Sequence, residues 1–347
     1  ENGSIDAYKI IQTMKLKSFC LYVAIIAYSF GFAQDNTIKN QNKVMGTQNP
    51  SFYAFGDSSK AGVLTGFEGF SDSSKINTNL AFVNHYFEDG DFSLALDIKT
   101  VDVASLGYSV SSANLHYIYR TQFSYKWTFN PSVSIGYGNS SLNYNSLIFE
   151  DQINVLTGAI TGVTIDPVNV DDQINYFDLG AGFSLHNNEN LFFGLNAKHM
   201  NTPDTSFNST AKNKKELLLS LQAGYEYDLN PYAQGVLPAY SYLFLYNSVT
   251  LQGAKSRIDL FQEVILGNVS IGLNQHINNF EGISISQFGT SLSLFVQQIE
   301  LGVNYSVDMG STGPEGSDFN SFELYITFDF NPDNKNKRGD NSRFYGM

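Results

Sequence analysis

Residues Phe322 to Phe330 read FELYITFDF, with large apolar residues at every even position and Glu323, Thr327 and Asp329 between them. A strand sends alternate side chains to opposite faces, so this segment has one apolar face and one mostly polar face. Two settings satisfy that pattern. One is the core of a soluble sandwich; the other is a membrane barrel, apolar towards lipid and polar towards its lumen. The rest of the chain has to choose between them.

The amino end supplies the first constraint. From Met14 the chain runs MKLKSFCLYVAIIAYSFGFAQ: two lysines, an apolar stretch from about Phe19 to Phe32, and then Gly31 and Ala33 at the offset of a cleavage site. That apolar stretch is shorter than the ~20 residues of a membrane-spanning helix, so residues 14–33 read as a secretory signal peptide and the mature chain is expected to start at Gln34. Residues 1–13 precede this segment and read as an upstream extension to which no function is assigned. The one cysteine, Cys20, falls inside the signal, which leaves the mature chain without disulfides, thiolate metal sites or a catalytic thiol. The five histidines, at 85, 116, 186, 199 and 276, show no HxxxH or HExxH spacing, and neither a metal nor a cofactor is expected. A net charge of -13 argues against nucleic acid as a partner, since phosphate binding requires a basic face. With the only long apolar run in the signal, the mature chain can enter a membrane only as a closed sheet, because lipid tolerates no unpaired backbone groups.

Alternation recurs from residue 60 almost to the end. Strands are predicted at 60–70, 75–87, 91–103, 112–122, 126–140, 174–186, 189–200, 214–228, 239–251, 255–267, 268–278, 281–294, 297–308 and 319–330, about fourteen and an even number. Phe92, Leu94, Leu96 and Ile98 oppose Asp91, Ser93, Asp97 and Lys99; Ile299, Leu301, Val303, Tyr305 and Val307 oppose Glu300, Asn304, Ser306 and Asp308. Within 283–294 the apolar set changes phase, from Ile283 and Ile285 to Phe288, Leu292 and Leu294, which predicts a β-bulge. The segments reach ten or more residues, the length of a tilted transmembrane strand (~9 to 11) rather than the ~5 to 6 of a soluble one. Gaps also alternate, short after the second, fourth, sixth, tenth and twelfth strands and longer after the third, fifth, seventh and thirteenth, with 141–173 the longest, which is the asymmetry of outer-membrane barrels. With the amino end in the periplasm, Tyr86, Phe87, Phe92, Phe123, Tyr125, Trp127, Phe129, Phe192, Phe193, Tyr225, Tyr227, Tyr240, Tyr242, Phe328 and Phe330 gather at the periplasmic strand ends as an aromatic girdle. The expected fold is all-β: an outer-membrane antiparallel up-and-down β-barrel over residues 60–330, in which FELYITFDF turns its apolar face to lipid and closes against the first strand. Residues 34–59 are expected to form a periplasmic amino-terminal segment and 331–347 a periplasmic polar tail, open to a periplasmic partner.

Several stretches resemble one known family. NPSFYAFGDSSKAGVLTG at 49–66 is similar to the Asn-Pro-Ala-Phe-Ala-Gly opening and first strand of the PorP/SprF family of the Bacteroidota type IX secretion system. SANLHYIYRTQFSYKWTFNPSVSIGYG at 112–138 resembles that family's Tyr-rich hairpin, NSLIFEDQI at 145–153 the start of its long loop, and LNPYAQGVLPAYSYLF at 229–244 its Pro-containing turn into a strand. RIDLFQEVILGNVSIGLNQ at 257–275 resembles the Gly-Leu-Ser-Tyr-Arg hairpin with Asn274 and Gln275 in altered positions; NYSVD at 304–308 and SFELYITF at 321–328 also depart from the family pattern. The resemblance implies an outer-membrane barrel of the secretion or gliding apparatus that helps a cognate secreted protein reach or stay on the cell surface, with no covalent chemistry of its own.

The other reading within membranes is a porin or hydrophobic-compound transporter, with a lumen lined by Asp97, Lys99, Glu263, Glu300, Asn304 and Glu323; small barrels fill their interior with such side chains for structural reasons too. No Gly-x-Ser-x-Gly elbow or paired catalytic motif is present, so an enzyme is not expected. The acidic residues Asp166, Asp171 and Asp172 read as a solvated loop rather than a calcium site. The stretch from about Ser141 to Asp172 exceeds an ordinary connection and carries an apolar surface. Leu147, Ile148, Phe149, Asp151, Gln152 and Ile153 within it are the candidate partner-docking residues, the alternative being a plug folded into the barrel mouth.

Overall fold

The computed structural model describes residues 38–57, 59–69, 75–144, 152–154, 160, 172–187, 189–207, 212–239, 241–279, 283–309 and 320–330. The predicted signal peptide, the upstream residues 1–13 and the polar tail lie outside the described residues. The strands are β1 (Lys60–Glu68), β2 (Ile76–Phe87), β3 (Phe92–Val103), β4 (Tyr108–Tyr119), β5 (Thr121–Ser124), β6 (Trp127–Leu142), β7 (Gln173–His186) and β8 (Leu191–Lys198). They continue with β9 (Leu218–Asp228), β10 (Ser241–Gln252), β11 (Lys255–Leu266), β12 (Val269–Asn279), β13 (Ile283–Val296), β14 (Ile299–Asp308) and β15 (Ser321–Asp329). Each pairs antiparallel with its sequence neighbour, and β1 pairs with β15 from Lys60↔Asp329 to Glu68↔Ser321. β4 and β5 both pair with β6 and are two halves of one wall strand interrupted at Arg120, so the sheet closes as a fourteen-stranded barrel.

The predicted strands are all present. The fourth is longer than 112–122, since β4 and β5 together run from Tyr108 to Ser124. The predicted bulge is at Ser286: His276 pairs with Gln287 and Ile277 with Ile285, leaving Ser286 as the extra residue. Faces follow the alternation. Leu94, Leu96 and Ile98 are exposed on the outer wall while Asp97 is buried; Leu301, Val303, Tyr305 and Val307 are exposed while Asn304 and Ser306 are buried. In FELYITFDF, Leu324, Ile326, Phe328 and Phe330 point outward, and Glu323 and Tyr325 point into the lumen.

Both ends of the barrel wall, Lys60 and Asp329, lie at the rim that carries the tight turns at 88–91, 125–126, 187–190, 267–268 and 297–298. The 229–240 connection is that rim's long exception. The opposite rim joins strand ends through the connections 143–172, 199–217 and 309–320, together with shorter ones at 69–75, 104–107, 253–254 and 280–282. Gly267 takes a φ of 58°, the left-handed conformation that lets a two-residue turn join β11 to β12.

Two expectations need correction. The girdle keeps Phe87, Phe123, Tyr125, Phe193, Tyr225, Tyr227, Phe328 and Phe330 on the outer wall, but Phe192 (0% exposed) and Tyr242 (3%) face the lumen. Phe192 alternates with Phe193, so one of the two must turn inward, and Tyr242 is in phase with Ser248 and Thr250, which are buried. Tyr240 lies outside the described residues. The larger correction concerns the segment 34–59, expected in the periplasm. Its described part, 38–57, runs inside the barrel as a strap of three short helical pieces, Gln41–Lys43, Met45–Gln48 and Pro50–Asp57. Ile38, Asn40, Gln41, Asn42, Val44, Asn49, Ser51, Phe52, Tyr53, Ala54 and Phe55 are all buried. A lumen lined with paired charges, amides and aromatic rings offers partners for both polar and apolar side chains of the strap, whereas water offers partners only for the polar ones.

Candidate functional site

The lower half of the strap, NPSFYAF, is built around Asn49. Its Oδ1 accepts the Ser51 N–H at 3.2 Å and the Ser51 hydroxyl at 2.7 Å, an Asx-type turn, and its Nδ2 donates to the Phe183 carbonyl at 3.2 Å and to Gln222 Oε1 at 3.1 Å. Pro50 follows with the φ a helical start requires, and the 3-10 helix it opens puts Phe52 and Phe55, three residues apart, on one side. Their rings lie 4.8 Å apart, and each is 5.3 Å from the ring of Phe192. Phe244, Tyr246 and Phe261 complete an aromatic cluster on the β8, β10 and β11 wall. Gly194 makes this possible: a Cβ there would sit 2.5 Å from the Phe52 ring and 2.7 Å from Asn49 Nδ2. Tyr53 points the other way, its ring 5.7 Å from both Phe82 and His116, and its carbonyl accepts Asn84 Nδ2 at 2.9 Å.

The upper half is tied by charge. The Glu323 carboxylate accepts the backbone N–H groups of Lys39 at 2.7 Å and Asn40 at 2.8 Å. Gln41 donates to Asp259, which also takes Arg257 at 2.9 Å and His276 at 2.5 Å. Asn42 donates to Glu263 at 3.1 Å. Lys43 bridges Glu263 and Glu300, the latter at 3.0 Å, and lies 5.6 Å above the ring of Tyr325, whose hydroxyl donates to Glu300 at 2.8 Å. A charge this far from water persists only when paired and hydrogen-bonded, and each of these carboxylates has at least two donors. Further along, the Tyr246 hydroxyl donates to Gln48 Oε1 at 2.8 Å and Asn196 donates to the Gln48 carbonyl at 2.6 Å.

Asp97, Glu263, Glu300, Asn304 and Glu323, named from the sequence as lumen-lining, do line it, with Glu263, Glu300 and Glu323 gripping the strap directly. Alternation identified the wall residues but not their partner, because the strap is some 220 to 280 positions away in sequence. A serine–histidine–aspartate chain also went unseen: His116 Nδ1 lies 2.7 Å from Ser134 Oγ and its Nε2 2.6 Å from Asp97, with Tyr53 against the imidazole. These three sit on adjacent strands β3, β4 and β6, a proximity that only register creates.

Of the candidate docking residues, Leu147, Ile148, Phe149 and Asp151 lie outside the described residues. Gln152 is half-buried, and Ile153 (43% exposed) forms an antiparallel bridge with Ile160 (59% exposed).

Among solved structures, the chain is similar to the outer membrane protein Omp33 of Acinetobacter baumannii at 8% identity and a TM-score of 0.43, over 79% of this chain and 100% of that one. It is also similar to a TodX monoaromatic hydrocarbon channel mutant, at 10% identity and 0.46, over 88% and 98% of the two chains. An outer membrane channel from Pseudomonas putida F1 aligns at 13% identity and 0.39, over 80% and 97%. No curated protein matches it. The family described as type IX secretion system membrane protein PorP/SprF matches residues 31–328, nearly the whole barrel together with the strap. The closed antiparallel wall with its outward apolar face is that of an integral outer-membrane barrel, and the chain belongs to the PorP/SprF family of type IX secretion membrane proteins.

Proposed function

We propose that the protein is a closed scaffold of the type IX apparatus, which supports secretion or surface attachment of a cognate secreted protein without conducting solutes. The observation that carries this reading is the strap: a lumen filled by residues 38–57 and pinned by the buried Lys43–Glu263–Glu300 cluster suits a support better than a pore. In this reading the cognate protein docks on the long outer loop, through the apolar stretch Leu147, Ile148, Phe149, Asp151, Gln152 and Ile153. Replacing residues 141–172 by a Gly-Ser turn should leave barrel assembly and its heat-modifiable migration on gels intact, while the surface protein is lost into the medium. Normal surface display in that variant would overturn the docking role. Stable single-channel conductance from the full chain in planar bilayers would overturn the closed scaffold.

A transporter of hydrophobic compounds is the second reading. It is favoured by the luminal rings of Phe192, Phe244, Tyr246 and Phe261, which would line an apolar path if the strap withdrew. Uptake of an aromatic hydrocarbon that depends on these four rings would support it over the scaffold.

A further inference from the structure

The 229–240 connection departs from its rim in chemistry as well as in length. The other turns there carry charge, at Glu88, Asp89 and Asp91, at Lys126 and at Glu189, or consist of Gly267 with Asn268 and Gln297 with Gln298. LNPYAQGVLPAY carries no charge at all, and none follows it until Lys255.

Its backbone is held in one shape. Asn230 is buried at its centre: the side-chain Nδ2 donates to the Leu237 carbonyl at 2.9 Å and to the Pro238 carbonyl at 3.2 Å, and Oδ1 accepts the Gln234 N–H at 2.8 Å. The Ala233 N–H donates to the Asn230 carbonyl at 3.0 Å, and the Ser241 hydroxyl to the Pro238 carbonyl at 2.8 Å. Gly235 takes a φ of 88° and Ala233 one of 49°, and a left-handed alanine persists only where its surroundings fix it. The connection is therefore a knuckle of set form.

What the knuckle presents is apolar. Val236 is fully exposed, Tyr232 is 81% exposed and Leu237 42%. Side chains of this kind are unfavourable in water, and nothing in the backbone of the knuckle demands them. Their position indicates what meets them. Tyr225 and Tyr227, exposed on the outer wall, lead β9 into the knuckle, and Leu243, paired with Tyr227, leads β10 out of it. Pro238 lies beside the β11–β12 turn, 3.7 Å from the place of a Cβ on Gly267, and Val269 just past that turn is exposed on the same outer wall. The knuckle thus prolongs the lipid-facing surface at the level of the aromatic girdle, where tyrosine suits the headgroups and a charge would oppose entry.

We propose that the 229–240 loop is a lipid anchor, which places Tyr232 among the phospholipid headgroups of the periplasmic leaflet and Val236 and Leu237 against the upper acyl chains. Because the backbone is already ordered, little conformational freedom is lost when the tip enters the leaflet. The inference does not rest on the scaffold reading.

The test uses the full chain with Cys20→Ser, which leaves no other thiol, refolded into vesicles of phosphatidylethanolamine and phosphatidylglycerol. Val236→Cys carries a nitrobenzoxadiazole dye. Glu189→Cys on the same rim is the control for water, and Ile271→Cys on the outer wall the control for lipid. The Val236 dye should emit to the blue of the Glu189 dye and be quenched, as the Ile271 dye is, by lipids brominated near the top of the acyl chain. Emission and quenching equal to those of the Glu189 dye would overturn the anchor. Tyr232→Trp in a Trp127→Phe background asks the same without a dye: its fluorescence should be quenched by the brominated lipid and shielded from iodide, and quenching by iodide as strong as for free tryptophan would overturn the proposal. No second protein is present in these vesicles, so a water-exposed tip would assign the loop to a periplasmic protein instead. Surface display enters neither readout, so failure here is distinct from failure of the scaffold.

Discussion

Lys43→Met is the substitution whose effect the lumen defines best. The Lys43 side chain has no exposed surface, that of Glu263 is 1% exposed and that of Glu300 11%. Removing one member of a buried ion pair costs about 3 to 5 kcal/mol, mostly because the other charge is left without compensation. Loss of the contact over the Tyr325 ring adds about 0.5 to 2 kcal/mol. The Tyr325 hydroxyl and the Asn42 amide remain on Glu300 and Glu263 and soften the loss, which places the expectation at the lower end, about 3 kcal/mol. At 1.4 kcal/mol per decade that is roughly a hundredfold rise in strap opening. Hydrogen exchange read by mass spectrometry should therefore show peptides from 38–57 losing about two decades of protection while wall-strand peptides keep theirs. Adding Glu263→Gln and Glu300→Gln to Lys43→Met should recover most of that loss, because no unpaired charge is then left behind. The control is Lys60→Met, a half-exposed lysine at the rim 4.0 Å from Asp329, which should cost less than about 1 kcal/mol. If Lys43→Met exchanges like the unaltered protein, or the triple variant is no better than the single one, the ion cluster does not hold the strap.

Gly194→Val should expel the lower strap, since the Phe52 ring already occupies the place of its Cβ; overpacking of this kind costs about 1 to 3 kcal/mol. Cells carrying it should admit bulky antibiotics while the barrel still shows heat-modifiable migration, and unchanged exclusion of those antibiotics would count against the fit. Ile135→Arg places a cation on the outer wall between Leu115 and Leu179 and should cost about 2 to 4 kcal/mol in a bilayer-refolding equilibrium. A cost as small as that of the same change at a rim position such as Tyr125 would show that this face does not meet the hydrocarbon core.

The wall was legible in the sequence because the information that builds it is local. Alternation of Leu94, Leu96 and Ile98 with Ser93 and Asp97 sets strand, phase and facing at once, with no need to know the neighbouring strand. The same reasoning located the bulge before Gln287, since one extra residue shifts the phase of every side chain after it. The periplasmic end of β10 was harder: Tyr242, Leu243, Phe244, Leu245 and Tyr246 are apolar on both faces, and phase there is visible only from Ser248 and Thr250 further along. That stretch is apolar on its inner face because Phe52 and Phe55 pack against it.

The destination of the strap was not legible. Residues 38–57 have neither helical nor strand periodicity, and their asparagines, glutamines and serines suit water as well as they suit a polar lumen. What decides between the two is whether closure of the wall produces partners in the right places: Glu323 for two backbone N–H groups, Glu263 and Glu300 for one lysine, Gly194 for one phenylalanine ring. Those partners come from strands about 140 to 280 residues away and exist as a surface only after the barrel has formed. The sequence by itself determined the wall and its two faces; only the tertiary structure decided what fills it, because burial of the strap depends on distant groups brought together by closure and not on any preference of the strap for itself.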